Sequence, residues 1–230
     1  MTGPGYRIGG LAAVLGVAVT VVAFVAVEFV QDPFADVSTE TYMTAIVGAR
    51  YLWLAAHLGV AFGALLKLAG LLTVGDSLSR SGPVGRMANG FAVAGVTMLV
   101  VTMARDGYVH EYLARSWGGD PAWVPVFAGS LRTSYGVELM AVLALYGFAP
   151  ACYGLAMLLD GERYPRWLGW LGVGGGAGAA VTAGYLWLAG PTTLGYGILY
   201  PLFAALLPLV WLTVAGLRLG KLSVDSAETA

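Results

Sequence analysis

Charge is what this sequence has least of. Of its 230 residues only 11% are Asp, Glu, Lys or Arg, against about 25% in an ordinary soluble domain. So few charges cannot cover a globule of this size in water. The net charge of −1 also argues against nucleic acid as a partner, which requires a basic face. Cysteine is limited to Cys152, so no intramolecular disulfide can form and redox compartment cannot be read from cysteine usage. There are two histidines, His57 and His110. No His-Glu-x-x-His helix, nucleophile elbow, phosphate loop or cysteine cluster is present. The 34 glycines follow no G-X-Y period, which excludes collagen.

Apolar sequence makes up the rest. Hydrophobic residues account for 58% and the mean hydropathy is +0.77. A membrane helix needs about 20 mostly apolar residues to cross a hydrocarbon core of ~30 Å, and the gaps between charges locate six such runs. They lie at about Ile8 to Val30, Ala45 to Leu72, Met87 to Ala104, Tyr135 to Leu159, Leu168 to Ala189 and Leu194 to Leu217. The last two come from one uncharged stretch, broken by Gly190-Pro191-Thr192-Thr193, a run of turn-forming residues. The first run exceeds the usual 7–15-residue signal core and no clear A-x-A site comes after it, so it reads as an uncleaved span. The expected fold is an all-α, six-span membrane bundle forming one domain over 1–222, with a short polar tail over 223–230.

Lysine and arginine in short loops set orientation. Arg7, Arg80, Arg86, Arg163, Arg166, Arg218 and Lys221 collect on one side. On the other, Arg50, Arg105, Arg115 and Arg132 are diluted by Asp32, Asp36, Glu40, Asp106, Glu111 and Asp120. This predicts a multi-pass protein of a prokaryotic plasma membrane with both termini in the cytoplasm. The segment from Asp106 to Trp117 is amphipathic, with Val109, Leu113 and Trp117 on one side and Asp106, His110 and Glu111 on the other. It is expected to form a short interfacial helix in the external loop between spans 3 and 4. In span 5, Gly172/Gly176, Gly174/Gly178 and Ala180/Gly184 are small-xxx-small pairs, which let helix backbones approach closely. Span 5 is therefore expected to be the most closely packed helix, with a weaker small face in span 1 at Gly9, Ala12, Ala13 and Gly16. Pro150, Pro201 and Pro208 fall inside spans, where each removes a helix hydrogen bond.

Ionisable residues at membrane depth are the best functional clue, because each costs roughly 2.5–3.5 kcal/mol at mid-helix. Glu28, Arg50, His57, Asp106, His110 and Glu138 form the candidate ligand-binding set, all toward the expected external face. Arg50 and His57 are seven residues apart and share a helix face. A carboxylate from Glu28 or Glu138 is expected opposite His57. Lys67 lies in the inner half of span 2, where its long stem is expected to snorkel to the cytoplasmic surface. Asp106 and His110 share a face at i, i+4, but two ligands do not make a metal site, so none is assigned. A b-type haem would need His57 and His110 on opposite faces of one porphyrin, with His110 dipping inward. The sequence names no cofactor and no catalytic residue.

Three short pieces resemble a group of small six-span bacterial membrane proteins of uncharacterised function. They are Arg7-Ile-Gly-Gly-Leu11, Asp106-Gly…Leu113-Ala…Trp117 and Tyr164-Pro-Arg-Trp-Leu-Gly-Trp-Leu-Gly172. The resemblance implies the architecture and no catalytic residues. Size and span number are also similar to the substrate-binding subunits of energy-coupling vitamin transporters. Those carry an Ala-xxx-Ala docking surface on their first helix, where this chain has Ala12-xxx-Gly16. Three functions are in competition. One is an outward-facing polar cavity that binds or transports a small molecule or lipid. The second is an intramembrane enzyme acting on a lipid or isoprenoid through an acid–imidazole set. The third is a b-type haem or metal electron carrier. Expected partners are the lipid bilayer, a small-molecule or lipid ligand, and either further copies of the chain or a partner membrane subunit.

Overall fold

A computed structural model describes residues 3–30, 38–78 and 82–228. Asp32, Asp36 and Arg80, counted in the charge balance above, lie outside the described residues. Among those described, the chain is helical and has no strand. Helix α1 is Gly3–Val30, α2 is Thr39–Gly48 and α3 is Arg50–Ser77. Helix α4 runs Pro83–Trp117 and α5 runs Trp123–Asp160. Helix α6 is Arg166–Ala189. Helix α7 joins a Gly195–Leu206 segment to Leu207–Glu228, so helix extends through most of the stretch expected to be a tail. All but α2 are long and apolar enough to cross a membrane, which matches the expected number of spans.

Two boundaries differ from expectation. The second apolar run splits at Ala49, whose φ of −114° and ψ of 29° break the helix. The short α2 before it is capped by Ser38, whose hydroxyl accepts from the Thr41 amide at 3.2 Å. The amphipathic segment after Ala104 is not a separate helix. It continues α4 through a π-helical turn at Arg105–Val109 and an α-helical end at His110–Trp117. Its polar side turns inward, with His110 and Glu111 buried.

Among the described residues three π-helical segments interrupt the bundle, at Arg105–Val109 in α4, Val142–Phe148 in α5 and Gly195–Leu206 in α7. Such widened turns are rare and concentrate at functional sites. Two of them adjoin or contain proline: Pro150 comes just after the segment in α5, and Pro201 lies within the one in α7. A proline lacks its amide and crowds the carbonyl four residues back, and a wider turn relieves that crowding.

Small residues allow close helix contacts. At Gly176 on α6, a Cβ would lie 2.5 Å from the Gly147 carbonyl and 2.6 Å from the Ala151 amide of α5. The α1–α3 pair is the more extensive contact, so span 5 is not alone in close packing. There Gly16 meets Gly63 and Lys67, and Ala13 meets Gly70. This closure corrects the expectation for Lys67. A Cβ on Gly16 would sit 2.9 Å from Lys67 Cγ, so the lysine stem is held between helices. Lys67 is 1% exposed and its ammonium donates to the Tyr146 hydroxyl at 2.8 Å instead of reaching the surface.

At the end of the bundle near Tyr164, side chains tie the helices together. Ser77 and the Tyr164 hydroxyl are 2.7 Å apart, Arg163 donates to the Ser77 carbonyl, and Arg218 Nε donates to the Arg163 carbonyl at 3.0 Å. Burial pushes the Tyr164 phenol above its ordinary range. This explains the structural use of Tyr164 in the motif that opens α6.

Candidate functional site: a carboxylate and aromatic cavity

At the opposite end, α1, α3, α4, α5 and α7 enclose a cavity of about 910 Å³. Each of the three π-helical segments contributes to its wall: Asp106 from the first, Val142 and Tyr146 from the second, and Tyr196, Gly197 and Tyr200 from the third. Helix α2 closes one side with Tyr42, which meets Trp53 edge-on at 5.9 Å and Phe127 at 5.7 Å between ring centroids. Arg132, Pro191 and Thr193 are exposed residues of the lining and mark an opening beside the loop between α6 and α7. Phe24 on α1 is also exposed and on the lining. The π-helical half of α7 packs on α6, while its α-helical half packs on α1.

Five of the six candidate residues line this cavity: Glu28, His57, Asp106, His110 and Glu138. The sixth, Arg50, does not. Its Nε pairs with Glu111 Oε1 at 2.6 Å, and Arg115 reaches the same oxygen at 3.1 Å. Glu111 is 3% exposed, so this network fastens α3 to the extended end of α4 and leaves Arg50 committed to structure.

His57 is 5% exposed and its ring rests on Trp53, with centroids 4.1 Å apart. Its Nδ1 lies 2.8 Å from the Trp53 carbonyl. A carbonyl only accepts, so Nδ1 carries the proton and Nε2 of the neutral ring holds a lone pair. Nε2 has no protein partner among the described residues. The expected direct pair with Glu28 or Glu138 is therefore not formed by His57, although all three share the cavity. Gly107 permits this placement: a Cβ there would be 2.8 Å from His57 Cβ. The Trp53 indole N–H donates to the Asp106 carbonyl at 2.9 Å and fixes the π turn against α3.

His110 dips inward, as the haem alternative required, but its Nε2 is engaged. Nε2 lies 3.1 Å from Ser130 Oγ and Nδ1 lies 3.5 Å from Asp106 Oδ1. Its ring packs on Phe127 at 5.1 Å. Axial ligation through His110 Nε2 would have to break the Ser130 contact, and Nδ1, which makes no hydrogen bond, faces Asp106. Among the described residues no group of three or more His, Cys, Asp or Glu side chains is placed to hold a metal ion.

Glu138 accepts a hydrogen bond from the Tyr200 hydroxyl at 2.5 Å. Tyr200 stacks on Tyr196 at 5.0 Å with ring planes 5° apart, and Tyr196 stacks on Tyr135 at 5.7 Å. The carboxylate thus sits at the end of a tier of three tyrosines. Tyr42 lies within electrostatic reach of three acids. Burial first, and then the negative charges of Asp106, Glu138 and Glu28, push its phenol well above the ordinary value.

Sequence reasoning missed this aromatic tier. Tyr196 and Tyr200 are spaced i, i+4 on a span without ionisable residues, so nothing in span 6 alone marked them. Glu138 was the available signal, because a buried carboxylate needs donors and tyrosines are the donors that apolar spans most readily carry. Comparison with known proteins assigns no family to this geometry: no protein-family model, no curated protein and no solved structure matches the chain.

Proposed function

We propose that this chain is a prokaryotic plasma-membrane protein, with both termini in the cytoplasm, that binds or transports a small molecule or lipid through an outward-facing polar cavity. One observation carries the proposal: Glu28, His57, Asp106 and Glu138, contributed by four helices, converge on a single cavity of about 910 Å³. Ligand pockets commonly span about 300–1,000 Å³, and intramembrane ionisable groups are costly enough to be retained for a purpose. The opening at Arg132, Pro191 and Thr193 is at the end expected to face outward. The exposed Phe24 adds a side entry from the lipid for an amphiphile.

Binding is favoured over catalysis because His57 spends Nδ1 on its own helix and His110 spends Nε2 on Ser130. Among the described residues His57 has no hydroxyl or thiol partner. His110 does meet a hydroxyl, Ser130 Oγ at 3.1 Å, but Ser130 is buried and does not line the cavity, so a ligand there would not reach that pair. Native mass spectrometry of protein released gently from membranes tests the proposal. Wild type is expected to carry a small molecule or lipid that Thr193→Trp, which plugs the opening, does not retain. Identical adduct profiles for the two proteins would reject it.

A further inference from the structure

We infer that the cavity's ligand is an organic cation, held by its positive charge against Glu138 and the outer rings of the tyrosine tier, Tyr135 and Tyr200; this rests on the binding proposal above. The charged groups that line the buried part of the wall are the acids Glu28, Asp106 and Glu138, set among aromatic faces and the hydroxyls of Ser134 and Tyr146. The Tyr200 hydroxyl is spent on Glu138. His57 is buried and lines the cavity. Its Nδ1–H is consumed by the Trp53 carbonyl, so the atom left for a ligand is the Nε2 lone pair. A group that complements a lone pair and a carboxylate is a donor, and one that also complements tyrosine faces is a cation.

The neighbouring basic groups are already committed or lie at the rim. Lys67 donates to Tyr146, Arg105 reaches Ser130 Oγ at 3.4 Å, and Arg50 pairs with Glu111. Arg132 is on the lining but exposed, where water screens it. An anionic ligand would be repelled by the acids of the wall, Glu28, Asp106 and Glu138. A neutral ligand would leave Glu138 to shed its charge by holding a proton, because an unpaired carboxylate in a region of low dielectric is costly. A cation relieves that cost directly. Bulk suits an amine or quaternary centre carrying apolar substituents, because the remaining wall includes Phe24, Val60, Leu99 and Met103.

Two ions of matched size and shape and opposite charge make the test: tetraphenylphosphonium and tetraphenylborate. Each is equilibrated by dialysis with the full chain in lipid nanodiscs, with empty nanodiscs subtracting partition into lipid. The cation is expected to bind wild type about tenfold or more tighter than the anion, and to weaken about tenfold in Glu138→Gln. Thr193→Trp should abolish the binding. Equal or tighter binding of the anion overturns the cation inference; if Thr193→Trp still abolishes it, the binding cavity itself stands. A preference for the cation that Glu138→Gln and Glu28→Gln both leave intact also overturns it, because the acids would then not be its source. Binding of neither ion to wild type counts against both the inference and the cavity.

Discussion

Gly107 joins fold and site in one position, and replacing it by alanine gives a worked test. The new Cβ would stand 2.8 Å from His57 Cβ and 3.3 Å from Cγ, whereas ordinary contact begins near 3.4 Å. The π turn of α4 and helix α3 must therefore part by about 0.6 Å, the shortfall between those two distances. His57 Cβ is anchored to backbone and cannot rotate away. The same parting stretches the Trp53–Asp106 hydrogen bond, now 2.9 Å, toward the limit of useful geometry. Over-packing of this kind costs about 1–3 kcal/mol. Alanine also gains up to about 1 kcal/mol over glycine in a helix, so the wild type is the wrong reference. Gly136→Ala is the right one, because its Cβ meets only Trp187, at 3.8 Å or beyond, and it gains the helical term without the clash. Chemical unfolding in one detergent should place Gly107→Ala about 1–3 kcal/mol below Gly136→Ala. It should also lower ligand retention by displacing His57. Equal stability of the two variants would refute the claim that the π turn is pressed against His57.

The same contacts predict the behaviour of other variants. Gly176→Leu should fold poorly, because backbone atoms of Gly147 and Ala151 block its side chain, while Gly174→Leu should be tolerated, since its Cβ meets nothing within 4 Å; thermal unfolding of both in detergent decides. Tyr146→Phe should destabilise more than Lys67→Met, because it strands a buried ammonium whereas the methionine removes it; the reverse order would show that Lys67 is not held as described. For orientation, single-cysteine variants in a Cys152→Ser background should label from outside intact cells at Ala122→Cys and not at Glu162→Cys, and labelling of the second would reverse the topology.

Much of the architecture was legible because a hydrocarbon core imposes a length rule on apolar runs, and the six runs became six helices long and apolar enough to cross a membrane. The break at Ala49 lies between Gly48 and Arg50, but it was not legible, since a single glycine and a single charge inside a long apolar run are both tolerated in a membrane helix. The π-helical segments were hidden for a related reason. A widened turn keeps helical periodicity on either side and only rotates the helix beyond it, so the polar face of 106–117 was assigned to water when it turns into the bundle with His110 and Glu111. Arg50 was grouped with His57 by a correct face argument, but Glu111 claims it across a helix boundary that spacing alone cannot show. Lys67 was assigned to the surface from the reach of its stem. The glycines that trap it, Gly16 and Gly63, belong to the contact between two helices and are visible only when both are in place.

The central claim is that the cavity between Glu138 and His57 holds a ligand. Its most direct test is a density map of the protein taken from its own membranes into nanodiscs without detergent. The account predicts density that is neither protein nor water, within contact of the Glu138 carboxylate and His57 Nε2 and bounded by Tyr196 and Tyr200. A map in which side chains collapse to fill that space, or in which only ordered water occupies it, would contradict the account.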